Sequence, residues 1–415
     1  MVPDQRNTFN QNFSEHKYQQ LLSELNKDFK GAIDFRVAET PVFLDADCNQ
    51  QMLDTCDYII DKIVDSNFTS QTNGAIPANK NVPNQTGHPH FLAFDFGICL
   101  NEQNKIVPQL IEMQGFASLF GYQAQLDDAM RSSYEIPSQY SAYYNGLTKT
   151  SYLQKLQSII AGKHDPKHVV LLEIKPHTQK TRIDFYCTAA YTGIALVCIS
   201  ELIKEGNTLF YKNNAGEKIE IKRIYNRIIF DELDQMPADI KEAGRLLFEN
   251  LNVEWAGHPN WFYRISKYTM PLLQHPNIPA SYYVNELASI PEDLENYVLK
   301  PLFSFAGAGV IIDVTKSDIE NLPDPQNWML QKKVNYAPIV KTPTTPAKVE
   351  IRLLYLWEEG AARPFPAINI ARLSKGKMIG VRYNQNETWV GGSIAYAAAN
   401  NRITPGADSS NTSHK

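Results

Sequence analysis

Tyr297-Val298-Leu299-Lys300-Pro301-Leu302-Phe303-Ser304-Phe305-Ala306-Gly307-Ala308-Gly309-Val310 is the stretch on which the reading of this chain turns. An apolar strand ends in a lysine, a loop of small residues with two glycines follows, and the chain re-enters an apolar run, Val310-Ile311-Ile312. A lysine at the end of a buried strand meets phosphate as a point charge, and glycines let backbone amides close over a polyphosphate. Pro301 holds Lys300 extended, as a strand end requires. Gly-Lys-Ser/Thr is missing, so this is not a Walker loop. A plain strand followed by a flexible turn would give the same local pattern, so the loop must be read with what lies around it.

About thirty residues on, Trp328-Met329-Leu330-Gln331-Lys332-Lys333-Val334 is an apolar run ending in polar residues. It reads as an edge strand whose main chain can face an adenine. Some two hundred residues upstream of Lys300, Phe94-Asp95-Phe96 and Ile111-Glu112-Met113-Gln114 lie on two apolar runs joined by the turn-forming Asn101-Glu102-Gln103-Asn104-Lys105. That pattern predicts a hairpin with Asp95 and Glu112 side by side. Mg²⁺ takes one or two carboxylates plus phosphate oxygens, and Gln114, two residues beyond Glu112, adds an amide oxygen on the same face. Asp95 lies among Leu92, Phe94 and Phe96, which argues against a solvated strand face. Glu350 and Arg352 share one face of a later strand. Arg352 either stabilises charge on a transferring phosphoryl group or forms an ion pair within the sheet.

These segments, in this order, resemble the circularly permuted ATP-grasp ligases that include glutathionylspermidine synthase and its relatives. The resemblance covers roughly residues 88 to 395. Phe94-Asp95-Phe96…Glu112-Met113-Gln114 is similar to the family's D…E-x-N element. Lys300-Pro301…Gly307-Ala308-Gly309 is similar to its K-P…G-x-G loop. The resemblance implies an α/β protein with a circularly permuted ATP-grasp core and a Rossmann-like pre-ATP-grasp domain. It implies ATP and Mg²⁺ as cofactors, with Asp95, Glu112 and Gln114 on the metal. Lys267, Lys300, Ser304, Gly307, Gly309, Gln331, Lys332, Val334, Ile370 and Arg372 would face the nucleotide, and Arg352 would be catalytic. The late segment Ile370-Ala371-Arg372-Leu373 through Asn384 and Gly391-Gly392 is similar to the return that completes the family's site. Two positions depart from the pattern: Gln114 stands where the family usually has asparagine, and Ala93 where many relatives carry arginine. Both bear on catalysis more than on nucleotide binding.

The implied reaction is ATP-dependent ligation of a carboxylate to an amine through an acylphosphate, on small molecules or a peptide. A nucleotide-binding regulatory or scaffold protein without ligase activity is the reading from another class.

The rest of the chain fits two or three packed subdomains, since 415 residues exceed one ordinary core. A hydrophobic content of 43% with 20% charged residues is that of a soluble globular protein, and a net charge of −5 gives no case for nucleic acid. No apolar stretch approaches the roughly 20 residues of a membrane helix, and the polar start shows no secretory h-region, so a cytoplasmic protein is expected. The sequons at Asn67 and Asn411 then carry little meaning. The five scattered cysteines (Cys48, Cys56, Cys99, Cys187, Cys198) read as buried free thiols.

Periodicity predicts helices over 9–28, 47–66, 117–131 and 150–161, strands over 91–99 and 106–113, and a loop over 68–90. Residues 168–174, a helix to 192 and residues 194–199 form a β-α-β unit, its first strand apolar on both faces. Short strands are expected from 209 to 230, a helix over 237–251, and strands over 349–357, 367–373 and 378–383. The division expected is an N-terminal part with metal ligands (1–164), a Rossmann-like domain (165–275), a lid (276–345), a return to the core (346–400) and a frayed tail (401–415). No G-x-G-x-x-G joins strand to helix in the second part, so no dinucleotide is assigned there. His88-Pro89-His90, Arg182-Ile183-Asp184 and the tyrosines Tyr122, Tyr140, Tyr143 and Tyr144 imitate metal or substrate groups, and are read as loop, helix and packing residues.

Overall fold

The computed structural model describes residues 1–304, 309–376, 379, 384 and 386–398. Gly307, most of the 378–383 segment expected as a strand, and the 401–415 tail lie outside the described residues. In chain order the elements that matter are α1 (Pro3–Asn12), α2 (Glu15–Leu25), α3 (Ala46–Ile63), β1 (Phe91–Leu100), β2 (Ile106–Gln114), α4 (Phe120–Ser133), α5 (Lys149–Ala161), β3 (Val169–Glu173), α6 (Arg182–Thr192) and β4 (Ala195–Cys198). They continue with β5 (Arg223–Asn226), β6 (Glu254–Ala256), β7 (Ser281–Tyr283), β8 (Tyr297–Pro301), β9 (Trp328–Lys332), β10 (Lys348–Leu356), β11 (Phe365–Ser374) and β12 (Gly391–Ser393).

Three sheets position the site. The largest is antiparallel, in the order β12-β11-β10-β1-β2. Strict alternation in β1 sends Leu92, Phe94, Phe96 and Ile98 into a core shared with Met52, Cys56, Ile59 and Ile60 of α3. A side chain such as Phe94, fully buried, stabilises the fold by about 2–3 kcal/mol. The opposite face changes character along its length. Phe91, Ala93, Leu354, Leu356, Ile368 and Ile370 pack in one core with Phe120 and Ala124 of α4. One or two rungs further, the same face carries Asp95, Gly97, Glu350, Arg352 and Arg372.

The second sheet is parallel, in the order β6-β5-β3-β4. Val169 and Leu171 enter one core, Val170 and Leu172 another, as the continuous apolar run requires. The third is a three-stranded antiparallel sheet, β7-β9-β8. Leu299 and Leu330 fill a small core of its own. The other face holds Lys300, Gln331, Met329 and Ser281, which share it by register.

Several local expectations change. The single helix over 9–28 is two, because the chain is extended at Phe13 and Ser14, and Ser14 caps α2 by accepting from the Lys17 N–H. The 68–90 loop contains short helical turns, among them Phe68–Gln71. The alternating stretch after 208 divides: Thr208–Lys212 and Lys218–Ile221 form a meander with Ile203–Glu205, while β5 leaves it to join the parallel sheet. The helix over 237–251 ends at Arg245 and tightens into a 3-10 turn. Most telling, the strand expected at an edge, β9, is the central strand of its sheet, paired on both sides.

Candidate active site: a charged seam between two sheets

The register Asp95↔Glu112 is followed by Phe96↔Leu110, so Ile111 is an extra residue, a β-bulge. Without it Glu112 would point to the α3 side. With it, Glu112 and Gln114 share the face of Asp95, and the Gln114 amide donates to Glu112 Oε1 at 2.8 Å. The bulge also turns the Ile111 carbonyl out of the ladder, and Lys300 Nζ donates to it at 3.3 Å.

Asp95 is 1% exposed and lies opposite Arg352 on β10. Arg352 Nε donates to Oδ1 at 2.6 Å and Nη2 to Oδ2 at 2.6 Å, a side-on bidentate pair. Arg372 Nη2 adds a bond to Oδ2 at 2.7 Å and also pairs with Glu350 Oε1. Tyr336 closes the chain by donating to Glu350 Oε2 at 2.9 Å. Both Asp95 oxygens are therefore held by guanidinium groups.

Lys300 and Lys267 come from the other side. Lys300 donates to Gln331 Oε1 at 2.5 Å, and Gln331 donates to Ser281 Oγ at 3.1 Å. Lys267 Nζ donates to the Ser304 carbonyl at 2.7 Å, holding the start of the loop, and stands 3.8 Å from Glu112 Oε2. Burial pulls the Lys300 ammonium down from 10.5 to about 8, with Lys267 adding to the fall and Glu112 and Glu350 opposing it. Burial would raise Glu112, but Lys267, Arg352, Lys300 and Arg372 outweigh it and hold that carboxyl at about 2. Among the described residues four cations face three carboxylates here, a surplus of one positive charge in a low-dielectric seam.

Gly97 sets how closely the two sheets meet. A Cβ there would stand 2.9 Å from both Val334 Cγ1 and Tyr336 Cε1. Ala337 N–H then donates to the Ile98 carbonyl at 2.9 Å, stitching the segment after β9 to β1.

The residues singled out in the sequence thus fall into three sets. Asp95, Glu112, Gln114, Lys267, Lys300, Ser304, Gln331, Arg352 and Arg372 converge on the seam. Ile370 lies one strand from Arg352 but points into the apolar core. Lys332 is exposed and its N–H donates to the Ala280 carbonyl, so that main-chain group is taken. Val334 leans on Gly97, and Gly309 turns with φ 73° beside Pro301. Tyr336, Ser281 and the Ile111 carbonyl were not foreseen; only the bulge and the register bring them in.

Residues read as imitations have structural roles. Asp184 accepts from the N–H groups of Leu119, Gly121 and Tyr122 and so caps α4. His88 stacks on Trp357 at 4.4 Å, and His90 pairs with Glu359 at 2.7 Å. Tyr122, Tyr143 and Tyr144 are buried, and all five cysteines are buried and unpaired. No described helix is long and apolar enough to cross a membrane.

No family model matches the sequence, and no curated protein does. Among solved structures the chain is similar to a glutathione synthetase-like effector from Globodera pallida in its apo form. The TM-score is 0.58 at 10% identity, over 92% of this chain and 97% of that one. At that identity the likeness concerns the fold alone, a mixed α/β fold.

Proposed function

We propose that the chain is a circularly permuted ATP-grasp protein that binds ATP in the seam between the five-stranded and three-stranded sheets and joins a carboxylate to an amine. The observation that carries this reading is the meeting of Lys267, Lys300, Arg352 and Arg372 at one place, from three separate parts of the chain, with a net positive charge. Buried cations without full compensation are costly, and a polyphosphate is the ligand that offsets them. Residues 165–275 would form the Rossmann-like domain, 276–345 the lid, and 1–164 with 346–400 the core.

In the reaction a substrate carboxylate attacks the γ-phosphorus, whose bond to the β,γ-bridging oxygen breaks to release ADP and leave an acylphosphate. An amine then attacks the acyl carbon, phosphate leaves, the amine loses a proton and an amide forms. No covalent intermediate on the protein is needed. Mg²⁺, held by Glu112 with Gln114 beside it, would supply charge stabilisation for the phosphoryl transfer. Glu112 fits it: its carboxyl stays ionised, it is 24% exposed, and Gln114 lies beside it. Asp95 does not fit, because two guanidinium groups occupy its oxygens. Among the described residues no group of three or more His, Cys, Asp or Glu is placed to hold a metal. The second reading, a nucleotide-binding regulatory or scaffold protein in which ligation has been lost, is supported by the arginines on Asp95 and by Gln114 and Ala93, which depart from the family's pattern.

The test is ATP turnover over a screen of acids and amines, with binding of a non-hydrolysable ATP analogue measured in parallel. Ligation predicts phosphate release that needs both substrates and falls at least tenfold in Glu112→Gln while analogue binding persists. Binding without turnover supports the second reading. Absence of analogue binding by the parent protein refutes both.

A further inference from the structure

The seam contains a feature that the proposed reaction does not require: a linear ion chain, Glu350–Arg372–Asp95–Arg352. Asp95 is buried and, among the described residues, touches no cation but these two guanidinium groups within hydrogen-bond distance. We infer that Asp95 is a positioning residue that fixes Arg352 and Arg372, and that this arginine pair, not a metal ion on Asp95, meets the terminal phosphoryl group of the nucleotide. The inference rests on the nucleotide reading of the seam.

Three observations support it. First, a guanidinium is a rigid planar fork, so its aim is set by what it is bound to. Arg352 is clamped side-on through two bonds of 2.6 Å, which fixes its plane. Second, Arg372 spends one nitrogen, Nη2, on both Asp95 and Glu350, while its Nε is buried with no hydrogen-bond partner among the described residues. Its side chain is nevertheless 38% exposed, so part of it is within reach of a ligand entering from solvent. A phosphoryl oxygen is the acceptor that such a donor lacks. Third, a divalent ion on the Asp95 oxygens would stand against two fixed positive charges in a low-dielectric site. Admitting it would require Arg352 to give up its bidentate partner while buried, or Arg372 to keep Glu350 alone. Glu112 stands 3.8 Å from both Lys267 and Arg352 but accepts no hydrogen bond from either, so a metal ion there would break no guanidinium pair.

The experiment is a calorimetric titration of the full chain with a non-hydrolysable ATP analogue, in excess Mg²⁺ and again in EDTA. Mg²⁺ half-saturation is measured separately, with Mn²⁺ as a spin-active substitute. In Asp95→Asn the analogue affinity should fall by about the same factor, tenfold or more, with and without metal, and Mg²⁺ half-saturation should stay at the parent value. Glu112→Gln should do the reverse, raising the Mg²⁺ requirement and sparing metal-free binding. A rise in Mg²⁺ half-saturation in Asp95→Asn, with metal-free affinity intact, would overturn the inference. Should Asp95→Asn not fold, Arg352→Lys decides the point. A point charge cannot bridge both oxygens, so analogue affinity should fall in both conditions; tighter Mg²⁺ binding by the freed carboxylate would count against us. A parent chain that binds no analogue refutes the nucleotide reading itself, and the inference falls with it.

Discussion

Replacing Lys300 by methionine keeps most of the side-chain volume and removes the charge. The folded state holds this ammonium at about 8 against 10.5 for a free lysine, a penalty of about 3 kcal/mol on keeping it protonated while buried. Below about pH 8 both states carry the proton and the penalty is present in full. Between about 8 and 10.5 the unfolded chain holds more protons than the folded one, so the parent's stability rises with pH. Above that window both are neutral. Methionine removes the penalty but leaves Gln331 Oε1 and the Ile111 carbonyl without this donor, which costs about 1–3 kcal/mol. At pH 7 the variant should therefore be as stable as the parent or up to about 2 kcal/mol more stable. By pH 10 the order should reverse, because the parent gains about 3 kcal/mol that the variant cannot. Nucleotide affinity should fall by tenfold to somewhat over a hundredfold, since a charge-assisted hydrogen bond contributes about 1.5–3 kcal/mol. Urea unfolding at pH 7 to 10 and calorimetry with an ATP analogue read the two effects. A stability difference that stays flat across that pH range would show that Lys300 does not titrate as a buried lysine. Unchanged affinity in the folded variant would remove it from the phosphate site.

Gly97→Val should displace the 334–337 segment, lower stability by about 1–3 kcal/mol and weaken analogue binding; a folded variant with parental affinity would show that the two sheets need not meet there. Asp184→Asn should cost about 2 kcal/mol in urea unfolding, because one amide oxygen cannot accept all three N–H groups at the start of α4, and nucleotide affinity should not change. Glu112 sets an acid limit: its ionised form contributes stability above about pH 4.5 that is lost as pH falls toward 2, so Glu112→Gln should flatten this part of the parent's acid-unfolding profile. Near pH 8, analogue binding should take up protons at Lys300, visible as a dependence of the binding enthalpy on the buffer's ionisation enthalpy; Lys300→Met should abolish it.

Local patterning determined a good part of this protein. The run His168 to Ile174 declared a strand buried on both faces, the alternation from Phe91 to Leu100 a strand with one apolar side, and Lys300-Pro301 a lysine at a strand end. These signals are legible because each records what its own neighbours bury, at a period of two or in an unbroken run. The resemblance added the order of the parts, and nine of the residues it marked do meet at the seam. What the tertiary structure alone decided is which charges face each other. Asp95 and Arg352 are 257 positions apart, and nothing near either residue says that they will share a rung. Their pairing follows from the register of β1 on β10, and that of Glu112 from one extra residue in β2, which reverses the side on which every later side chain falls. The same reason makes β9 central when its composition suggested an edge: the strand records its own burial, while the number of its neighbours is settled by distant segments. A carboxylate that reads as a metal ligand in sequence is thus already neutralised by arginines in the fold, because Coulomb partners are chosen by distance in space and the chain encodes that distance only through its packing.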